Sequence, residues 1–230
     1  MGLRRLLFPV GLILILALLV AGSIGNGLLA RQGWGLLTTE MVLVSLALFY
    51  WSFEQRQAPS REIALIATLG TLAAVGRVAF AALPGIQPTT FLAIISGLVF
   101  GPQAGFMVGS TAALVSNFFL GQGPWTPWQM FAWGLAGASG GWLGKLFPRL
   151  GRNGLAGMGL IWGYWFGWIM NIWSWTAFIQ PLNWQSFVAT YAASFWFDTL
   201  HAFGNAGFCL LFGETLIKAL LRFRRRLKTA

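Results

Sequence analysis

The polar residues near the C-terminal end have the spacing most suggestive of chemistry. Five of them, Tyr191, Ser194, Asp198, His201 and Asn205, follow one another at intervals of three and four residues. In a helix this spacing places all five on one face. Because the neighbouring residues are mostly apolar, such a stripe must face other protein or a wet cavity. Two interpretations follow: the stripe lines a ligand cavity, or it forms hydrogen bonds between helices.

Arg77 is a second candidate, because it lies inside a long apolar run. A charge at membrane depth costs at least a few kcal/mol, so Arg77 should face the interior of a helix bundle or water. Three environments satisfy this requirement. Arg77 contacts a polar or anionic part of a ligand, pairs with Asp198, or extends to the membrane headgroups.

Catalytic signatures are missing from the sequence. Asp198 and the single histidine, His201, do not make a metal site without further ligands, and most triad designs are excluded as well. The stretch from Gly140 to Lys145 resembles a phosphate-binding loop only faintly, since Leu146 replaces the required Ser or Thr. We therefore expect no catalytic residue, no cofactor and no metal. A transporter of this composition would take its energy from another subunit, because a chain of intramembrane acids is also missing.

Aromatic and amide side chains gather near the ends of the apolar runs. The tryptophans are Trp125, Trp128, Trp133, Trp173, Trp175 and Trp184. An interfacial belt explains many of them, because indole rings are stable at headgroup level. A belt does not require Asn117, Gln129 and Asn171 at a similar depth, whereas a large planar ligand would use both rings and amides.

Composition identifies the class of protein that must position these residues. The chain has 230 residues, of which 57% are hydrophobic and 9% charged, whereas a soluble domain carries about 25% charged residues. With about 20 residues per transmembrane helix, the length allows six to eight spans. The sequence indicates eight apolar runs, at 6–30, 36–53, 63–83, 90–100, 103–120, 128–147, 155–179 and from Trp184 to the cluster ending at Arg226.

The positive charges indicate how these runs cross the membrane. With eight spans, nearly all Lys and Arg clusters fall on one side, including Arg4, Arg5, Arg56, Arg61, Lys145, Arg149 and the C-terminal cluster; only Arg31 falls on the other. The positive-inside rule then predicts a multi-pass protein of the bacterial cytoplasmic membrane with both termini in the cytoplasm. The net charge of +10 reflects this topology, and we expect membrane lipid rather than nucleic acid as a partner. The first run is longer than a usual signal core, so we expect a retained helix.

Small residues repeat at the spacing that allows close helix packing. Gly101, Gly105 and Gly109 recur every four residues, as do Gly137 with Gly141 and Gly140 with Gly144. The third run carries a smooth face of a different kind, formed by Ala67 with Thr71 and Gly70 with Ala74. This face is a candidate docking surface for a partner.

Residues 61–226 resemble the substrate-binding S component of energy-coupling factor (ECF) vitamin importers. The matching features are the small-residue first helix and the glycine-rich helix pair split at VFGPQAG, residues 99–105. The stretches GRVAF at 76–80, QPTT at 87–90 and NFFLGQGPWTPWQ at 117–129 are most similar to the cobalamin-type branch. Residues 57–230 are then expected to form the six-helix S-component bundle, and residues 1–56 two additional N-terminal transmembrane helices.

The resemblance implies an outward-facing vitamin pocket that is gated by the loop after the first core helix. It also implies a transmembrane T component, two partner ATPases and delivery of the vitamin by toppling in the membrane. The family couples through an Ala-x-x-x-Ala pair, and the nearest equivalents here are Ala67, Gly70, Thr71 and Ala74. Taken with the polar patterns above, the expected pocket residues are Arg77, Gln87, Thr89, Asn117, Gln122, Trp125, Trp128, Gln129, Asn171, Trp175, Tyr191, Ser194, Asp198 and His201.

Several alternatives remain open at this point. Within the same class, the ligand could be riboflavin, queuosine or a benzimidazole precursor instead of cobalamin. In a different class, the chain is a lipid-active membrane enzyme that uses Asp198 and His201, or an assembly protein whose glycine faces hold neighbours together. The importer hypothesis requires the polar residues to converge on a hollow of ligand size.

Overall fold

The computed structural model describes residues 33–56, 58–148 and 150–229, together with the isolated helical positions Val10 and Ala17. In this part of the chain all regular secondary structure is helical, without strands. Its helices are α1 (Trp34–Gln55), α2 (Ser60–Ala79), α3 (Thr89–Phe100), α4 (Pro102–Leu120), α5 (Thr126–Leu146), α6 (Arg152–Phe178) and α7 (Trp184–Thr229). By length and composition, α1, α2 and α4 can cross a membrane, and α3 is a shorter apolar helix. The chain is a helical membrane protein.

The predicted runs agree with these helices to within a few residues. The largest difference is at the end of the third run, where α2 stops at Ala79 instead of continuing to Leu83. Successive turns replace the helix there, with Leu83 N–H donating to Phe80 O and Ile86 N–H donating to Leu83 O. The rest of the predicted first run, 6–30, lies outside the described residues, as do Arg4, Arg5, Arg31 and Arg149.

Helix α3 is the centre of the bundle. All residues from Thr89 to Gly97 are buried, and α3 contacts α2, α4, α5, α6 and α7. Its last residue is followed by Gly101, whose φ of +98° lies in the region that favours glycine, and Pro102 then begins α4. Gly101 takes part in packing through its backbone, because a Cβ on Gly141 of α5 would lie 2.6 Å from the Gly101 carbonyl carbon. The position of the missing Cβ of Gly101 itself is open, so the positive φ explains why this residue is glycine.

The other predicted glycine contacts are confirmed as helix packing. Gly105 of α4 lies against the backbone of Gly137 in α5, and Gly109 lies against the carbonyl of Trp133. Gly140 lies against the carbonyl of Ile94 in α3. A Cβ at any of these positions would overlap backbone atoms, so the three central helices approach more closely than larger residues would allow.

Helix α1 is an integral part of the bundle. It packs on α4, α5 and α6, and polar contacts hold it along its length. The hydroxyls of Tyr50 and Ser110 lie 2.8 Å apart, and those of Thr38 and Thr176 lie 3.2 Å apart. Hydrogen bonds of this kind between apolar helices contribute about 0.6 kcal/mol each.

The two ends of the bundle are named here after their glycines. The Gly85 end carries the connections 80–88, 121–125 and 179–183, and the Gly101 end carries 56–59, Gly101 and 147–151. Helix α7 has 46 residues. At 1.5 Å per residue it is about 69 Å long, which is roughly twice the thickness of a bilayer core. It therefore reaches well beyond the shorter helices.

Candidate functional site

Arg77, in the last turn of α2, is held inside the bundle. Its side chain is 8% exposed, and Nη1 donates to Ser116 Oγ and to Asn117 Oδ1 at 2.6 Å each. The guanidinium lies 4.7 Å from the centre of the Trp133 ring. The structure therefore excludes extension to the headgroups. The alternative of a pair with Asp198 is excluded as well, because no ion pair joins these two residues.

The positive charge of Arg77 has no counter-charge nearby. Within the part of the chain that the structure describes, no carboxylate lies within ion-pair distance of the guanidinium, and Arg77 Nε forms no hydrogen bond. Neutral hydrogen bonds and the Trp133 ring stabilise a buried charge only partly, because desolvation costs several kcal/mol. The site is electropositive and lacks one acceptor.

Asn117 links Arg77 to the start of α5. Its Nδ2 donates to Thr126 Oγ1 at 2.9 Å and to Gln129 Oε1 at 2.8 Å. Thr126 Oγ1 in turn donates to Gln122 Oε1 at 2.9 Å in the preceding connection. This amide network joins the end of α4 to the beginning of α5 and fixes the orientation of both Asn117 polar atoms.

A second chain of hydrogen bonds runs from α5 to the connection 80–88. Trp133 Nε1 donates to Thr90 Oγ1 at 2.9 Å, Thr90 Oγ1 lies 3.1 Å from His201 Nε2, and His201 Nδ1 lies 2.7 Å from Gly85 O. A carbonyl only accepts, so His201 Nδ1 carries the proton and Nε2 accepts from the Thr90 hydroxyl. Both ring nitrogens are thereby used.

Gly85 is suited to this contact for two reasons. Its φ is +72°, and a Cβ would lie 3.0 Å from His201 N and 3.1 Å from Phe197 O. A larger residue would be strained and would also push the connection off α7. The segment 80–88 is therefore fastened to α7 at close range.

Asp198 belongs to a separate cluster between α6 and α7. Asn171 Nδ2 donates to Ser194 Oγ at 2.6 Å, and Ser194 Oγ donates to Asp198 Oδ2 at 2.8 Å. Asp198 does not bond to His201, although the two share the buried face of α7. Tyr191 OH donates to Trp168 O at 3.1 Å. The polar stripe thus bonds α7 to α6, α3 and the connection 80–88, as the interhelical hypothesis predicted.

The remaining predicted residues are spread around this centre. Thr89 is fully buried with no partner for Oγ1, Gln87 is half-buried beside it, and Gln122 is exposed. The Trp125 ring lies 6.2 Å from that of Trp173, and Trp175 Nε1 donates to Ser186 Oγ. Trp128 faces α1, where its Nε1 donates to Thr39 Oγ1 at 3.2 Å.

Several residues of the network escaped the sequence prediction. Thr90, Ser116 and Thr126 are ordinary hydroxyl residues on their helices, and Trp133 was noted among the tryptophans near the ends of the runs but not placed in the predicted pocket. Phe166 completes the group, since its ring lies 4.4 Å from the Trp133 ring and 5.2 Å from the His201 ring. Two signals were available: Trp133 follows Gln129 by four residues and therefore shares its helix face, and the stretches 87–90 and 117–129 contain Thr90 and Thr126.

The start of α3 is recessed within the bundle. Thr90 bonds to Trp133, which lies seven residues inside α5, and Thr89 and Thr90 are both fully buried, so α3 begins below the start of α5. No side chain caps α3, and its first N–H groups carry the positive end of the helix dipole. Together with Arg77, the recess concentrates positive potential under the connection 80–88.

Open volume lies elsewhere in the described part of the chain. A cavity of about 620 Å³ opens at the Gly101 end, and a groove of about 480 Å³ on the side of the bundle is lined by Tyr191, Trp168 and other aromatic residues. Where the outward-facing pocket was expected, Arg77, Asn117 and His201 are all buried, and Arg77 bonds directly to Asn117. The hollow predicted there is filled by side chains and by the connection 80–88.

The predicted docking face of α2 divides into two halves. Ala67 and Thr71 are exposed, whereas Gly70 and Ala74 are buried, with Gly70 against the Thr111 side chain of α4. Only the Ala67–Thr71 half is open to another protein. Gly70 and Ala74 serve packing within the chain.

Fold and site together define a helical membrane protein with a buried, electropositive polar cluster beneath a connection that α7 holds in place. Comparison of the chain with protein-family models, curated protein sequences and solved structures finds no significant match.

Proposed function

We propose that this chain is the substrate-binding S component of an ATP-driven ECF-type vitamin importer, with cobalamin as the preferred ligand. It would cross the bacterial cytoplasmic membrane eight times with both termini in the cytoplasm, and α2–α7 would form its six-helix core. The Gly85 end would face outward and the Gly101 end the cytoplasm. This orientation follows the positive-inside rule, because the basic residues gather at the Gly101 end.

The observation that carries the proposal is the incomplete satisfaction of the polar cluster. Arg77 Nε and Thr89 Oγ1 are buried without hydrogen-bond partners at the recessed, uncapped start of α3. Buried polar atoms are nearly always paired, and unpaired ones at membrane depth are costly. Orphan groups around a fixed cation favour a function in which a ligand supplies the missing acceptors.

The positive charge of Arg77 limits which ligands fit the site. A cation without a counter-charge favours a ligand with an anionic or strongly accepting group, and it disfavours a cationic one. Cobalamin carries a phosphodiester and several amides, whereas a benzimidazole base carries neither. Within the importer class, the electropositive site therefore favours cobalamin over a benzimidazole precursor, and riboflavin and queuosine become outcomes of the test.

The hollow that the importer hypothesis requires is closed in this structure, so the proposal requires the connection 80–88 to move and open it. The connection is held by the bond from His201 Nδ1 to Gly85 O and by contact of Ile86 with the Gly204 position. A net hydrogen bond is worth about 1 kcal/mol, so a ligand that binds the open form more tightly by a few kcal/mol reverses the equilibrium. The connection then acts as the gate of the pocket.

The energy for transport would come from partners. The exposed Ala67–Thr71 half of α2 is the surface proposed for the transmembrane T component, and two cytoplasmic ATPases would drive toppling of the whole bundle. Small residues on a lipid-facing helix allow a neighbouring helix to approach closely. Ala67→Trp should therefore block coupling while leaving vitamin binding unchanged.

The arrangement of Asp198 and His201 gives the alternative enzyme little support. The two side chains do not bond to each other, and both His201 nitrogens are engaged by Gly85 and Thr90. A general base needs a free nitrogen directed at its substrate.

The deciding experiment is purification of the protein from cells grown with mixed vitamins, followed by an absorption spectrum and mass spectrometry of the released molecules. A corrin spectrum supports the proposal. A flavin spectrum would show that the ligand is riboflavin and would still support a vitamin importer. A protein that neither retains nor rebinds a vitamin contradicts the proposal.

A matched pair of serine variants then tests the site itself. Ser116 and Ser110 are both buried in α4 and both form a hydrogen bond to another helix, but only Ser116 contacts Arg77. Ser116→Ala should weaken vitamin binding by roughly tenfold, the value of one hydrogen bond to a charged group. Ser110→Ala should leave the affinity unchanged, and equal effects of the two variants would contradict the assignment.

A further inference from the structure

We propose that the Gly101 end contains a second site, which binds the phosphate group of an anionic ligand. The cavity of about 620 Å³ lies there, and its polar lining consists of Ser52, Arg56, Gln103, Lys145 and Arg224. The three basic residues come from the end of α1, from α5 and from α7. Three separate parts of the chain therefore direct positive charge into one volume.

A second cavity of about 490 Å³ adjoins the first. It shares Arg56 and Arg224 with the first cavity and adds Arg61 and Glu62. Arg56 Nη2 donates to Glu62 Oε1, so one carboxylate balances one of the four basic residues. The remaining basic residues give the combined space a clear positive charge.

Two of the cations are free to bind a ligand. Lys145 and Arg224 are exposed and form no hydrogen bond or ion pair with the described residues, whereas Lys218 on α7 pairs with Glu214. Gln103 Nε2 donates to Ser52 Oγ at 3.1 Å and fixes two polar groups on the wall. Basic side chains without a partner, next to polar groups held in place, can bind a phosphate through charge-assisted hydrogen bonds.

The helix dipoles do not determine the sign of the electrostatic potential in this site. Helix α4 begins at the cavity with its N–H groups, but α3 and α5 end there with their carbonyl groups. These opposing dipoles largely cancel. The side chains therefore supply the positive potential.

Apolar side chains beside the cations indicate where the ligand would lie. Trp142 lines the cavity and is 48% exposed, and Leu146 and Phe147 next to Lys145 are 73% and 57% exposed. An anionic lipid would place its phosphate in the cavity and its acyl chains over these apolar residues. A soluble phosphate ester would occupy the cavity alone. The shared chemistry is the phosphate group, and the assignment does not depend on vitamin import.

The test uses the full-length protein, purified in neutral detergent and analysed by native mass spectrometry. One arm titrates dioleoylphosphatidylglycerol against dioleoylphosphatidylcholine, and the other titrates inorganic phosphate alone. The triple variant Arg56→Gln, Lys145→Gln, Arg224→Gln should weaken phosphate-group binding on the order of a hundredfold, since each basic residue contributes about fivefold to anionic-lipid binding.

Control variants separate a site from general charge. Arg222→Gln on α7 removes a positive charge outside both cavities and should change binding less than twofold. Lys145→Gln alone should weaken binding about fivefold, and Lys145→Arg should restore it. If the triple variant does not fold, the comparison of Lys145→Gln with Arg222→Gln tests the proposal.

Four outcomes are informative, two of which support the proposal and two of which overturn it. Selective retention of phosphatidylglycerol without phosphate binding identifies a lipid headgroup, and binding in both arms identifies a general phosphate site; either supports the proposal. Equal losses for Lys145→Gln and Arg222→Gln, or no binding in either arm, would overturn it.

Discussion

The hydroxyl of Thr90 is the point where one substitution tests the whole polar chain beneath the Gly85 end. Thr90→Val keeps the shape of the side chain but removes the group that accepts from Trp133 Nε1 and faces His201 Nε2. Two buried polar atoms then lose a partner together. The variant probes the assigned hydrogen bonds without opening a cavity.

The expected magnitude follows from burial. Hydrogen bonds between membrane helices contribute about 0.6 kcal/mol on average, which would give about 1.2 kcal/mol for two. A buried group left unsatisfied costs about 1–3 kcal/mol. Because Trp133 is 2% exposed and His201 3% exposed, water cannot easily replace the hydroxyl. We therefore expect the free energy of unfolding to fall by about 2–4 kcal/mol.

The assay is unfolding of the purified protein by dodecyl sulfate, followed by tryptophan fluorescence. Thr68→Val is the matched control, because Thr68 is exposed on α2 and its hydroxyl donates only to Ala64 O of the same helix. The control should change stability by less than about 0.5 kcal/mol. Thr90→Ser keeps the hydroxyl and should recover most of the loss. If Thr90→Val and Thr68→Val have the same stability, the proposed chain of hydrogen bonds is refuted.

Three further predictions concern packing, accessibility and surface charge. Gly105→Ala should lower the free energy of unfolding by about 3 kcal/mol or more, because the new Cβ overlaps the Gly137 backbone, while Gly157→Ala at an open helix position should be neutral or stabilising by up to about 1 kcal/mol; a scan of unfolding midpoints compares them. Cys209, fully buried, should resist N-ethylmaleimide until the protein is unfolded, and rapid labelling of the native protein would contradict the assigned packing of α7. The pair of Arg56 with Glu62 is partly exposed, so a double-mutant cycle should give a coupling below about 1 kcal/mol that decreases with salt, and a large salt-independent coupling would count against this.

The helices themselves could be predicted because each apolar run is bounded by Pro, Gly or charged residues. Pro59 precedes α2 and Pro102 begins α4, and both residues mark helix starts in the sequence alone. The shared face of Asp198 and His201 also follows from spacing. These features are local, so they depend on residues a few positions apart.

The partners of the polar residues could not be predicted, since they are set by contacts between distant segments. Arg77 bonds to Ser116 and Asn117, about forty positions further along the chain, and no periodicity identifies such a pair. The depth of Trp133 was misjudged for the same reason. Its level in the bundle depends on where α3 begins, and only the packing of Thr90 reveals that.

The filled space beneath the connection 80–88 has a similar origin. The sequence suggested helix up to Leu83, whereas the chain leaves α2 at Ala79 and turns inward to Gly85. Because α2 ends four residues earlier than predicted, the whole connection 80–88 lies in a different place. Such a difference depends on the carbonyl of Gly85 meeting His201, a contact made across the bundle.

Because α7 is one continuous helix, it links the two ends of the bundle mechanically. His201 and Arg224 lie 23 positions apart on this one helix, which corresponds to about 35 Å of rigid rod. A pivot of about 10° at His201 would swing Arg224 sideways by about 6 Å, more than the reach of a hydrogen bond. A rearrangement at His201 would therefore move Arg224 relative to the other residues that line the cavity at the Gly101 end.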